Sequence, residues 1–133
     1  MMNTYDYYSQ LIRPDWAPPA WIFGPVWTVL YAIILVSFGY VFYKWKKGQV
    51  KTKVMLPFAV NLIFNVAFTP IQFGLQNNIL ASIDIILVLG TLMWAIFAIE
   101  GKYKWVAISN LPYLAWVSFA AVLQLTITYL NLK

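Results

Sequence analysis

The side chains in this chain best equipped for chemistry are indole rings. Trp16, Trp21 and Trp27 lie within PDWAPPAWIFGPVWTVLY (14–31), interleaved with Pro14, Pro18, Pro19 and Pro25. Leu, Ile and Val suffice to make a segment apolar, whereas rings held rigid by prolines make a surface for a flat or bulky apolar ligand. Prolines at 18 and 19 forbid a regular helix there, so the spacing predicts an interfacial elbow over 1–19 that turns into a helix. Trp16, Pro18 and Pro19 belong to that elbow, and Phe23, Trp27 and Tyr31 follow it as further candidate ligand contacts.

A second group of candidates is polar. Asn61, Asn65 and Gln72 fall on one helical face with Phe68 between them. Lipid cannot satisfy amides, so they point into a bundle, either as interhelical hydrogen bonds or as polar anchors lining a ligand cavity. Asp84 is the one carboxylate inside an apolar run. An acid in the membrane is a functional candidate, with a structural hydrogen-bond partner as the alternative. Without His or a second acid beside it, it forms no acid–base pair. Further along, Trp116, Ala120 and Gln124 recur at steps of four on one face, and Pro112 is expected to kink their helix.

These residues need elements to hold them. The chain has 133 residues, 62% hydrophobic and 10% charged, against about 25% charged in a soluble domain. A soluble fold of this size has too little interior for that much apolar surface. The composition therefore predicts one all-α integral membrane domain over 1–133. Four apolar runs, about 20–43, 54–75, 79–99 and 105–130, each approach or exceed the ~20 residues that cross hydrocarbon. The absence of Cys and His removes disulfides, thiolate metal sites and the usual haem ligand, and no metal site is expected.

The net charge of +5 reports topology. Five lysines lie in KWKKGQVKTK (44–53) and two in EGKYK (100–104), against Arg13 and Lys133 on the other side. That bias places both loops in the cytoplasm and both termini outside, and it argues against nucleic acid as a partner. Tyr43, Trp45, Trp94 and Trp105 read as an interfacial belt, whereas Trp27 and Trp116 lie too far into the helices for that role.

The residues WAPPAWIFGPVWTVLY (16–31), Asn65 with PIQFG (70–74), Asp84, and PYLAWVSFAAVLQLTITYLN (112–131) resemble the translocator protein family, also called tryptophan-rich sensory proteins (TspO/MBR) or peripheral-type benzodiazepine receptors. The resemblance runs from Trp16 onward. It implies a bundle of four transmembrane helices like the second to fifth of that family's five, with the first one absent and its flank covered by a partner subunit, so a homodimer. It also implies an elbow that closes a pocket as a lid, here anchored at one end.

The resemblance further implies that porphyrins such as protoporphyrin IX or haem, or other tetrapyrroles, bind as ligands, with no cofactor required and membrane lipid as the other partner. Trp16, Pro18, Pro19, Phe23, Trp27, Tyr31, Asn65, Phe68, Gln72, Asp84, Trp116, Ala120 and Gln124 would line the site. Trp27 and Trp116 match tryptophans implicated in light-dependent porphyrin breakdown. The setting implied is a bacterial or archaeal cell membrane. The family usually carries Trp at Phe68, an aromatic at Gln72 and Asn at Gln124, so a less aromatic pocket is expected on that side. The cholesterol-type pattern Leu125, Tyr129, Lys133 is displaced by one turn, and cholesterol binding does not carry over. Two other functions compete, a small dimeric exporter and a non-catalytic assembly partner. The lack of an acid in the first helix and the strong charge bias count against the exporter.

Overall fold

A computed structural model describes residues 11–131, apart from the side chains of Ala20, Gln72 and Phe73. The first ten residues of the expected elbow, and Lys133, lie outside the described residues. The described chain is helical throughout its ordered elements: α1 (Phe23–Lys46), α2 (Thr52–Thr69), α3 (Asn78–Glu100), α4 (Lys104–Ser109) and α5 (Leu111–Leu130). α4 and α5 together form one span, giving four helical spans long and apolar enough to cross a membrane. The fold is an all-α integral membrane bundle, as the composition predicts.

Local chemistry sets the boundaries. α1 starts three residues later than expected because Pro18 and Pro19 impose a tight turn first, Ala20–Ile22, closed by Ile22 N–H donating to the Pro19 carbonyl at 3.1 Å. It runs three residues further, to Lys46, and ends where Gly48 adopts φ +78°. There Gly48 N–H donates to Trp45 O and Gln49 N–H to Lys44 O, which satisfies carbonyls that the helix leaves open. α2 gives way at Pro70, which has no N–H to continue the ladder. The chain widens over Pro70–Gly74, where Leu75 N–H reaches back to Pro70 O at 2.8 Å. α3 is started by Asn77, whose Oδ1 accepts from Leu80 N–H at 3.0 Å. The expected kink near Pro112 is a break at Asn110 that separates α4 from α5. Asn110 Nδ2 fills it by donating to Val106 O and to Ser37 Oγ.

α3 is the centre of the bundle. It packs along α2 and α5 for most of its length, while α1 rests on α2 and α4 over shorter stretches. Ile85, Val88, Leu92, Ala95 and Ile99 make its buried stripe and meet Phe38, Val41, Phe58, Tyr113 and Val117 in one core. Exposed Leu, Val, Ile and aromatic side chains cover the outside, which is what a lipid solvent requires.

Inside that core runs a chain of polar side chains. Tyr31 of α1 donates to Asn65 Oδ1 at 2.8 Å. Asn65 Nδ2 donates to the Tyr113 hydroxyl, which donates to Asn61 Oδ1 at 2.9 Å. Asn61 Nδ2 donates to Val88 O at 2.8 Å and to Thr91 Oγ1 at 3.1 Å. Two amides of the expected stripe, Asn61 and Asn65, are thus engaged in interhelical bonding to α1, α3 and α5. A second clamp joins α3 to α5 at the end away from the lysines. Ser82 and Thr128 share a 2.6 Å bond, and Thr128 and Gln124 both donate to Asn78 O.

Tyr113→Phe keeps the ring and removes the hydroxyl, leaving Asn65 Nδ2 and Asn61 Oδ1 without this partner. The expected loss is about 1–2 kcal/mol of stability, measured by unfolding in mixed detergent micelles. A change below about 0.5 kcal/mol would show that the bonds set geometry and not stability.

Candidate functional site

The elbow is built by what its prolines cannot do. Pro18 and Pro19 have no N–H to donate, so the turn before them is closed by Ala17 N–H donating to Pro14 O at 3.0 Å. This turn holds Trp16 edge-on against Phe119 of α5, with ring centroids 5.8 Å apart at 67°. Below it, Asn131 at the end of α5 grips the segment twice. Its Oδ1 accepts from Ile12 N–H at 3.2 Å, and its Nδ2 donates to Ile12 O at 2.9 Å. A lid anchored at one end is therefore not what forms. The described part of the elbow is joined to α5 at Asn131 and at Phe119, as well as to α1 by the chain itself.

Behind the elbow lies a set of rings. Phe23 and Trp27 stand one turn apart on α1, and Trp116 and Phe119 stand one turn apart on α5. Phe23 meets Trp116 edge-on at 6.0 Å and 68°, and Trp116 meets Phe119 at 5.5 Å and 40°. Trp27 packs into the same cluster with Leu123 and Ile127. Its other neighbour is Tyr31, at 5.5 Å and 32°, the ring that begins the buried hydrogen-bond chain. The polar relay therefore fixes Tyr31, and Tyr31 supports Trp27. The Trp116 Nε1 is buried and has no acceptor among the described residues. An indole N–H sealed from water ordinarily finds a partner.

On the far side of Trp116 a groove of about 560 Å³ opens between α1 and α5. Pro25, Val26, Val29 and Leu30 form one wall, and Pro112, Ala115, Trp116 and Phe119 the other. Its volume falls within the ~300–1,000 Å³ of small-molecule sites. It offers dispersion and stacking along an almost wholly apolar lining. Among the described residues no group of three His, Cys, Asp or Glu side chains is placed to hold a metal ion.

The model of the TspO/MBR family matches residues 1–130 of this sequence. The chain belongs to the TspO/MBR family. Tryptophan-rich protein TspO of Chlorobaculum tepidum is 36% identical to it over 126 residues, covering 94% of this chain and 79% of that protein. The human translocator protein is 34% identical, over 89% of this chain and 70% of its own length. The tryptophan-rich sensory protein of Cereibacter sphaeroides is 29% identical, over 98% and 80%. The family match bears out the resemblance carried by the tryptophan–proline signature.

Within this family member the structure gathers Trp16, Phe23, Trp27 and Trp116 about one cluster, with Tyr31 and Asn65 beside it. Trp16 and Tyr31 are 49% and 41% exposed, so neither ring is closed off by the bundle. Pro18 is half-buried and Pro19 exposed. Phe68 and Ala120 pack against the main core. Gln124 is buried in the α3–α5 clamp, away from the rings. Asp84 is buried on α3, and its Oδ2 has no partner among the described residues. The Gln72 side chain lies outside the described residues.

The groove walls other than Trp116 are missing from the sequence-derived set, and so are two residues that couple its parts. Phe119 couples the elbow to Trp116, and Tyr113 couples Asn61 to Asn65. A signal for Tyr113 exists: a tyrosine inside an apolar helix needs an acceptor, and the only amides at its depth are on α2.

Asn131→Ala removes both bonds to Ile12. Amide exchange over residues 12–18 is expected to rise about five- to tenfold, with global unfolding unchanged. Unaltered exchange there would mean that Trp16 on Phe119 holds the elbow without help.

Proposed function

We propose that this protein binds porphyrins or other tetrapyrroles, and flat apolar molecules like them, between the elbow, α1 and α5. It would act as a receptor or carrier in a bacterial or archaeal cell membrane. The loop after α1 and the loop after α3 would face the cytoplasm, and both termini the outside, as the lysine distribution favours. The observation that carries the reading is Trp116. It contacts Phe23 and Phe119, lines the groove between α1 and α5, and holds an indole N–H without an acceptor. A ligand with a flat π-face complements that arrangement, since Trp116 and Phe119 line the groove with rings. The names carried by relatives, translocator protein and tryptophan-rich sensory protein, favour a translocating or sensing role.

Light-dependent breakdown is the finer part of the proposal. Trp27 and Trp116 are electron-rich and lie in one cluster, so a photo-excited macrocycle seated there would have two indoles within reach. The supporting groups, Tyr31 and Asn65, hold Trp27 in place and take no part in the chemistry.

Titration of protoporphyrin IX against the purified protein tests the binding. Each ring contributes ~0.5–1.5 kcal/mol, so Trp27→Leu with Trp116→Leu is expected to weaken binding roughly 5- to 150-fold. Tryptophan fluorescence that stays unquenched by the porphyrin would sink the reading. For the photochemistry, Trp27→Phe with Trp116→Phe should retain most of the binding and lose light-driven bleaching of the bound ligand. Proton-coupled efflux from liposomes that disappears in Asp84→Asn would replace the proposal with an exporter.

A further inference from the structure

The lysine-rich end carries a second groove that the tetrapyrrole reading does not use. It has a volume of about 290 Å³ and runs between α1 and α4, lined by Ala32, Ile33, Val36, Ser37, Trp105 and Ser109. Its two hydroxyls are turned into their own helices. Ser37 Oγ donates to Ile33 O at 2.7 Å, and Ser109 Oγ donates to Val106 O at 3.1 Å. The walls left to a ligand are hydrocarbon.

The groove leads toward charge. Trp105, one of its walls, meets Tyr40 at 5.0 Å and 70°. Tyr40 in turn meets Tyr103 edge-on at 5.1 Å. Each of these tyrosines carries an ammonium: Lys44 Nζ lies 5.3 Å from the Tyr40 ring centroid, and Lys102 Nζ lies 5.7 Å from that of Tyr103. Ile33, Ser37, Tyr40 and Lys44 follow one another at helical steps along α1, so apolar wall, aromatic collar and cation form one continuous face. The two loops that flank this face in sequence carry five lysines at 44–53 and two at 102–104, with Glu100 as their one acid. Seven cations against one anion call for a negatively charged occupant, and the hydrocarbon groove calls for an acyl chain.

We propose that this face binds one anionic glycerophospholipid, its acyl chain along α1 beside Trp105 and its phosphate over the Tyr40–Tyr103 pair between Lys44 and Lys102. A zwitterionic lipid fits the groove equally but gains nothing net from the lysines. Each lysine near an anionic headgroup is worth about fivefold in binding. The positive-inside bias alone would spread such binding over all seven lysines, whereas a defined site concentrates it on those at the collar.

The test uses the full chain purified in detergent with equimolar phosphatidylglycerol and phosphatidylcholine, and counts retained lipids by native mass spectrometry. The wild type is expected to retain one phosphatidylglycerol in preference to phosphatidylcholine. Lys44→Gln with Lys102→Gln should reduce that preference about 25-fold. Lys46→Gln with Lys53→Gln should leave most of it, and Ala32→Phe with Val36→Phe should displace the lipid by filling the groove. Helicity and porphyrin titration serve as checks that the variants are folded. Equal retention of the two lipids by the wild type would overturn the proposal. So would equal losses from both lysine pairs, or full retention after the groove is filled.

Discussion

A polar side chain in hydrocarbon has only the protein to bond with, and that constraint organises this molecule. Asn61 and Asn65 stand one turn apart on α2. With Tyr113 between them they form a closed sequence of donors and acceptors that starts at Tyr31 on α1 and ends at Val88 and Thr91 on α3. One set of bonds therefore reaches four helices. In water each such bond would compete with solvent. Here the alternative is an unsatisfied group, so even modest bonds of ~0.6 kcal/mol each dictate which faces meet.

The candidate site inherits its geometry from this relay. α1 and α5, which supply the rings, share little direct backbone packing and are held in relation to each other by α2, α3 and α4. Tyr31 transmits the relay to Trp27, and Tyr113 leaves the same helix as Trp116, one turn earlier. At the two ends other devices take over. The Ser82–Thr128–Gln124–Asn78 clamp locks α3 to α5, and the Asn110 break lets α4 turn back to meet Ser37 of α1. Pro112 favours that break, because it cannot donate to the preceding turn and sits in the first turn of α5.

The sequence displayed much of this. Four spans, the elbow, the amide face and the family signature follow from periodicity, proline positions and an unusual tryptophan spacing. The errors have physical causes. The first helix begins at Phe23 because Pro19 accepts a tight-turn bond that periodicity does not report. Asn131 holds Ile12 across 119 positions of sequence, and no local pattern announces a contact of that range. Gln124 shares a face with Trp116, but eight residues carry it two turns away from the rings and into the clamp. The groove walls Val29, Leu30 and Ala115 are ordinary membrane residues, and only the splay of α1 from α5 makes them a site.

That splay has a thermodynamic consequence. The groove between α1 and α5 lies between two spans apolar enough to cross a membrane, and its walls are hydrocarbon and aromatic. An apolar ligand of such a groove would arrive from solution in the bilayer, after partitioning there. Its affinity referred to water is the product of a partition coefficient and an intrinsic constant measured against lipid. Much of the gain from leaving water is already realised on entering the membrane. Selectivity between two greasy molecules would then come from stacking and shape, since hydrophobicity favours the bilayer as strongly as it favours the protein.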